Sequence, residues 1–351
     1  MSSCLHDFSP EELEDLLGRM GEPSYRGRQL AHGLYQRRLR SIEELSDLPL
    51  SLRTRLAQEY GLAQLRQVGQ SPAADGTVKH LFELSDQQRI ESVSIEMENG
   101  RRTFCLSTQV GCKMACVFCA TARMGLRRQL SPGEIVAQVL ALSRMHPTPR
   151  QANLVFMGMG EPLDNFDNLQ RALRILSHKK AMDIGARHIT ISTSGPLEGM
   201  RRLRELERPY GLALSLTTAS AAGRRRLMPV AGSEAIQEIL ALAAEHGRRT
   251  ARRVTLECVL IAGENDAEED ARALARLARI GPFKVNLIPL NEIGGFAGRR
   301  PSAETVKRFA DHLWSAGIVC TVRDSAGREV AAACGQLVQK RKQSSQQSSR
   351  V

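Results

Sequence analysis

The 351-residue sequence is poor in aromatics: one Trp, four Tyr and nine Phe make up 4 % of the chain. A sheet displaying aromatic rings as a base-stacking platform is therefore not indicated. Long apolar runs are also missing. No stretch of 18 apolar residues occurs, so no transmembrane helix is expected. The first residues turn acidic after position 10 and carry no apolar segment of the signal-peptide type. Lysine is scarce, with eight residues against 41 arginines. An apolar content of 42 % with 28 glycines is ordinary for a globular protein, which excludes a wholly disordered or fibrous chain. The length suggests one large or two unequal domains, ample for a core without disulfide staples.

What the sequence does have is positive charge. Lys and Arg number 49 against 38 Asp and Glu, a net charge of +11 with an isoelectric point near 9.6. The planar fork of arginine grips phosphates two-pronged, so this balance points to nucleic acid, with a merely basic soluble surface as the alternative. Arginine groups recur at 127–128, 201–202, 224–226, 248–249, 252–253 and 299–300, and sequence alone does not put them on one face. The eight cysteines are Cys4, Cys105, Cys112, Cys116, Cys119, Cys258, Cys320 and Cys334. Four lie within fifteen residues, and nothing resembles a secretion signal. A disulfide scaffold does not fit; a reducing compartment and a metal-binding cluster do.

Along the chain, residues 1–65 read as a small helical module. Ser9, Pro10 and Glu12 spell a capped helix start, followed by Leu13, Leu16, Leu17 and Met20 at helical spacing. Residues 66–100 read as a β-hairpin extension, with strands at 78–84 and 89–97 joined by the SDQQ turn. From 101 to 336 strands alternate with helices. The strands are expected at 103–107, 153–157, 188–192, 211–216, 254–261, 284–289 and 318–322. The helices are expected near 131–145, 166–178, 197–207, 233–247, 267–280 and 302–316. Regular βα units imply an α/β fold with a parallel sheet, either an incomplete (β/α) barrel or a flat doubly wound sheet. Residues 337–351 read as a basic disordered tail.

The strongest chemical signal is CKMACVFC over 112–119, a CxxxCxxC loop just after a predicted strand. Soft thiolates select zinc or iron–sulfur. A structural zinc needs four ligands, which Cys105 could complete. Three cysteines instead leave one iron of a [4Fe–4S] cluster open to a small molecule. One βα unit later comes MGMGEP over 157–162, where Gly160 permits close backbone approach and Glu161 could pair with an ammonium group.

This loop, opening a βα barrel, resembles that of the radical S-adenosylmethionine (SAM) enzymes. Cys105, Cys334 within AAACGQL, the stretch GEPSYRGRQL over 21–30 and the run 102–119 narrow the resemblance to the RlmN/Cfr class of radical SAM RNA methyltransferases. The resemblance covers about residues 12–338 and implies an incomplete radical SAM barrel with a small N-terminal helical domain. It implies a [4Fe–4S] cluster on Cys112, Cys116 and Cys119, with SAM contacted by Gly160, Glu161, Ser192, Ser215, Leu216, Thr217 and Asn291. At Thr217 the class usually carries His. The implied chemistry is methylation of adenine carbon 2: Cys334 accepts a methyl from SAM, a 5′-deoxyadenosyl radical activates it, Cys105 resolves the adduct through a disulfide, and Glu91 takes the ring proton. The implied substrate is 23S rRNA with tRNA as a second target, the implied partner a low-potential electron donor such as flavodoxin, and the implied setting a cytoplasmic monomer without membrane attachment. Carbon 8 as target, another substrate of a radical SAM enzyme, and a zinc-containing RNA-binding protein without catalysis are the alternatives.

Overall fold

A computed structural model describes residues 3–148, 151–323, 326–327 and 330–337. Ten strands form one sheet: β1 (Arg66–Pro72), β2 (Val78–Glu83), β3 (Arg89–Glu96), β4 (Arg102–Cys105), β5 (Asn153–Phe156), β6 (Ile189–Thr193), β7 (Gly211–Ser215), β8 (Val254–Leu260), β9 (Phe283–Pro289) and β10 (Cys320–Val322). Each strand pairs with its neighbour in the chain, so spatial order equals chain order throughout. Strands β4 to β10 run parallel, whereas β1 to β4 pair antiparallel. A doubly wound sheet reverses its order midway. Here the order never reverses, so successive crossover helices fall on one face and the sheet curls into an open barrel.

The parallel strands are apolar on both faces and are almost wholly buried, as β9 shows with Val285, Leu287 and Ile288. The covering helices show the complementary one-sided pattern. In α5 (Phe166–Ser177), Leu169, Ala172, Leu173 and Leu176 repeat at i, i+3, i+4 and i+7, and all are buried. Each such Leu contributes roughly 1.5–3 kcal/mol.

The amino-terminal helices α1 (Pro10–Arg19), α2 (Ser24–Ala31) and α3 (Leu50–Glu59) pack through Leu13, Leu17, Leu30 and Leu52. The expected cap of α1 is present in both directions: Ser9 Oγ accepts from Glu12 N at 3.2 Å, and Ser9 N donates to Glu12 Oε2 at 2.7 Å. The same box starts α4 (Pro132–Met145) with Ser131 and Glu134. Asp7 Oδ1 accepts from Gly133 N at 2.6 Å, tying this module to the barrel.

Three findings go beyond the sequence reading. The antiparallel unit has a third strand, β1, whose residues are mostly polar and half-exposed, so no apolar alternation announced it. The cysteine loop leaves and returns through a two-stranded ribbon, Gln109–Gly111 against Leu126–Gln129. Leu337, read as the start of the tail, is buried, while residues 338–351 lie outside the described residues.

Candidate active site

The loops after the C-terminal ends of the parallel strands converge on one cavity, the usual place for a site in a (β/α) fold. Cys112, Cys116 and Cys119 line it, together with Cys334 from the far end of the chain. The cysteine loop is held from three sides. Val117 N donates to Leu227 O at 3.0 Å, Ala120 N to Gly335 O at 2.7 Å, and Cys112 N to Gly125 O at 3.1 Å. Burial pushes the Cys112 thiol up to about 12. Burial, and then the nearby Cys119 and Cys112, push Cys116 well above the ordinary range, and burial raises Cys119. Three buried or half-buried thiols sharing a cavity ionise together only against added positive charge, which a cluster of iron ions brings. Among the described residues, no three His, Cys, Asp or Glu side chains converge tightly enough for a single metal ion. Cys105 therefore does not complete a zinc site with the loop.

The MGMGEP turn leaves β5 and packs on the stem of the cysteine loop. An added Cβ at Gly158 would meet Leu106 O at 2.6 Å, and at Gly160, with φ of +103°, Gln109 Cβ at 2.5 Å. Only glycine fits at Gly160. The Glu161 carboxylate is buried and accepts four hydrogen bonds: Leu163 N at 3.0 Å, Thr193 Oγ1 at 2.7 Å, Ser194 N at 2.7 Å and Ser194 Oγ at 2.8 Å. Burial holds its carboxyl above the ordinary range against the pull of these donors. Its four acceptor positions are thus used within the protein, where they join the loops after β5 and β6.

Ser192, Ser215, Thr217 and Asn291 also line the cavity. Thr217 is fully buried with φ of +62°, a rare conformation for a β-branched residue. Its carbonyl accepts from Cys258 Sγ and Asn265 Nδ2, both at 2.8 Å, while its Oγ1 has no hydrogen-bond partner among the described residues. A buried hydroxyl without a partner, on a residue that lines the cavity, fits a polar ligand. Asn291 Nδ2 donates to Cys334 O at 3.2 Å. Leu216 is buried outside the cavity; its carbonyl accepts from Arg224.

Cys105 and Glu91 also lie outside this cavity. Cys105 ends β4 and shares a second, smaller pocket with Cys334, of about 20 Å³, room for roughly one water. Cys334 thus sits on the wall between the two spaces. Burial pushes Cys105 up to about 12 and raises Cys334, and both remain free thiols. Glu91 is buried on β3 and ion-paired with Lys79 at 3.2 Å. Lys79 Nζ in turn donates to Ala331 O at 3.1 Å, three residues before Cys334.

Sequence reasoning missed three site residues. Glu257 lines the cavity, buried, with Oε2 accepting from Asn286 Nδ2 at 2.8 Å. A lone acid in the apolar strand VTLECVL was the available signal. Lys79 had none. Arg224 is buried, hidden in a triple-arginine run that reads as surface. The other arginine groups are largely engaged inside the molecule: Arg201 with Glu238, Arg202 with Asp167 and Glu205, Arg226 with Glu264, and Arg249 and Arg252 with backbone carbonyls.

The open barrel and its cysteine loop are those of a radical SAM protein: the radical SAM superfamily model matches residues 106–275. Residues 4–61 match the N-terminal domain described as that of a ribosomal RNA large subunit methyltransferase. Similar proteins include a probable dual-specificity RNA methyltransferase RlmN of Symbiobacterium thermophilum, 45 % identical over 95 % of this chain and 90 % of that protein. The dual-specificity RNA methyltransferase RlmN of Anaeromyxobacter dehalogenans is 42 % identical over 95 % and 93 %. The crystal structure of a radical SAM methyltransferase from Sphaerobacter thermophilus superposes with a TM-score of 0.91 at 42 % identity, covering 95 % of this chain and 99 % of that one. The chain belongs to the RlmN family of radical SAM methyltransferases. Membership brings a [4Fe–4S] cluster and SAM. No helix among the described residues is long and apolar enough to cross a membrane.

Proposed function

We propose that this protein methylates carbon 2 of an adenosine in 23S rRNA and in tRNA, using Cys334 as a covalent methyl carrier. Relatives named for large-subunit ribosomal RNA and for dual specificity support the substrate class. The observation that carries the mechanism is that Cys105 and Cys334, from opposite ends of the barrel, line one small pocket, while Cys334 also lines the cavity of the three loop cysteines.

Cys112, Cys116 and Cys119 would hold the cluster, which with bound SAM would supply 5′-deoxyadenosyl radical chemistry. The rest is work for side chains. Carbon 2 of adenine is an electron-poor amidine carbon and does not attack a sulfonium methyl. Cys334, a thiol, does: its sulfur gains the carbon–sulfur bond that SAM loses, and its proton leaves. The carrier carbon, after giving up one hydrogen atom to that radical, would bond to carbon 2, and the sulfur then needs release. Cys105, facing it across a space for about one water, attacks the Cys334 sulfur; the carbon–sulfur bond breaks as the disulfide closes, the Cys105 proton completes the methyl group of the freed base, and the one surplus electron would pass back to the iron–sulfur centre. Glu91, buried and held by Lys79, takes the ring proton. External thiols or a reductase return the cysteine pair to the reduced state each turnover. That reduction fits a reducing cytoplasm, and a low-potential donor such as flavodoxin supplies electrons to the centre.

Mass spectrometry of the purified chain tests the carrier, and nucleoside analysis of rRNA and tRNA from cells with and without the gene tests the product. We expect a methyl group on Cys334 and 2-methyladenosine that depends on the gene. An unmodified Cys334 in active protein overturns the relay, and 8-methyladenosine in place of the 2-isomer overturns the position.

A further inference from the structure

Arg224 is the largest fully buried side chain among the described residues, at 1 % exposure. It lies on α6 (Ala221–Leu227), under the ends of β6 and β7. Its Nη1 donates to Ser215 O at 3.0 Å and Leu216 O at 3.2 Å, and its Nη2 donates to Ser194 O. Its Nε has no acceptor among the described residues, and no carboxylate there lies within ion-pair distance of its guanidinium. Backbone carbonyls offer partial negative charge only. A buried cation without a counter-charge is costly, and arginine does not escape by losing its proton. The balancing charge must come from what the neighbouring groups hold.

Those neighbours are the cysteine loop and Glu161. The helix carrying Arg224 docks on the loop through the Val117 N to Leu227 O bond. Met228, whose Sδ is 3.8 Å from Arg224 Nη1, lines the cavity beside Cys116 and belongs to the same apolar cluster. Ser194 joins the two ends: its carbonyl accepts from Arg224, and its N and Oγ hold Glu161.

We propose that Arg224 is a positioning residue for the cofactor centre, the fixed counter-charge of the iron–sulfur cluster, which raises the cluster's reduction potential. Three thiolates around an oxidised [4Fe–4S]²⁺ core leave a net charge of −1, and uptake of one electron makes it −2. A permanent cation beside the ligands stabilises the second state more than the first. The inference needs only the cluster on this loop and stands apart from the methyl relay of Cys334.

The test uses the full chain reconstituted anaerobically, as wild type, R224Q and R224K, with iron and sulfide determined for each. The midpoint potential is read by dithionite titration, followed by electron paramagnetic resonance of the reduced cluster, without SAM or RNA. R224Q at wild-type iron content is expected to shift to a more negative potential. R224K, which keeps the charge, is expected to stay close to wild type. An unshifted R224Q, or an R224K that shifts as far as R224Q, overturns the proposal and leaves Arg224 as a mechanical brace. Where R224Q does not accumulate folded, R224K and wild type are compared by the rise in melting temperature on cluster loading. An equal rise supports the charge, and a lost rise in R224K overturns it. A failed methyl relay leaves every one of these readings in place.

Discussion

Replacing Glu161 by Gln separates two roles for one carboxylate. The motif alone suggests a partner for the ammonium of a ligand. The structure has its oxygens accepting from Leu163 N, Thr193 Oγ1 and both donors of Ser194. In E161Q one oxygen remains and keeps up to two of these bonds. The amide nitrogen is itself a donor and faces donors, so the other two are lost. Hydrogen bonds to a charged group contribute about 1.5–3 kcal/mol each, and burying a neutral amide instead of a carboxylate returns part of that. The net expectation is a loss of about 2–4 kcal/mol in the cofactor-free chain. Urea unfolding followed by circular dichroism measures it, as a lower midpoint at unchanged slope. If E161Q unfolds within about 0.5 kcal/mol of wild type yet loses affinity for SAM, the bracing argument is wrong and the side chain is a ligand contact.

Two further outcomes follow from buried geometry. His6 is buried, with Nδ1 accepting from Ala63 N at 3.1 Å, and burial lowers it from 6.5 to about 4. The unfolded chain therefore binds this proton first, so its contribution to stability is complete above about pH 6.5 and is lost as the pH falls toward 4. At about 1.4 kcal/mol per unit the loss is on the order of 3 kcal/mol. H6N should flatten unfolding free energy against pH across that window, and an undiminished slope would count against the assignment. G160A forces a side chain into a φ of +103° and against Gln109, at a cost of about 2 kcal/mol or more. Lower melting temperature and reduced iron loading should appear together, and a variant that loads iron and melts as wild type does would refute it.

The βα rhythm was readable because each layer writes a distinct pattern. Parallel strands buried on both faces are continuous apolar runs, and α5 puts its Leu169, Ala172, Leu173 and Leu176 on one stripe. The cysteine loop was readable because ligand spacing is local. What escaped reading depends on partners far away in the chain. β1 is polar and owes its place to pairing with β2. Nothing in RRR tells which of Arg224, Arg225 and Arg226 turns inward. The saturation of Glu161 needs Thr193 and Ser194, more than thirty residues on. The seat of Cys334 depends on bonds from Ala120, Asn291 and Lys79.

An unclosed barrel has a seam, and here the two extra thiols stand on either side of it. Cys105 ends the first parallel strand, while Cys334 follows the last and is drawn across to the antiparallel side by Lys79 and, through Gly327, by Asp75. A bond between those sulfurs would do mechanically what the backbone does not, stitching the rim into a ring. Each catalytic cycle would then fasten the mouth around its spent product site, and only reduction would unfasten it, so the traffic of a bulky polymer through that mouth would follow the redox state of a single pair of atoms.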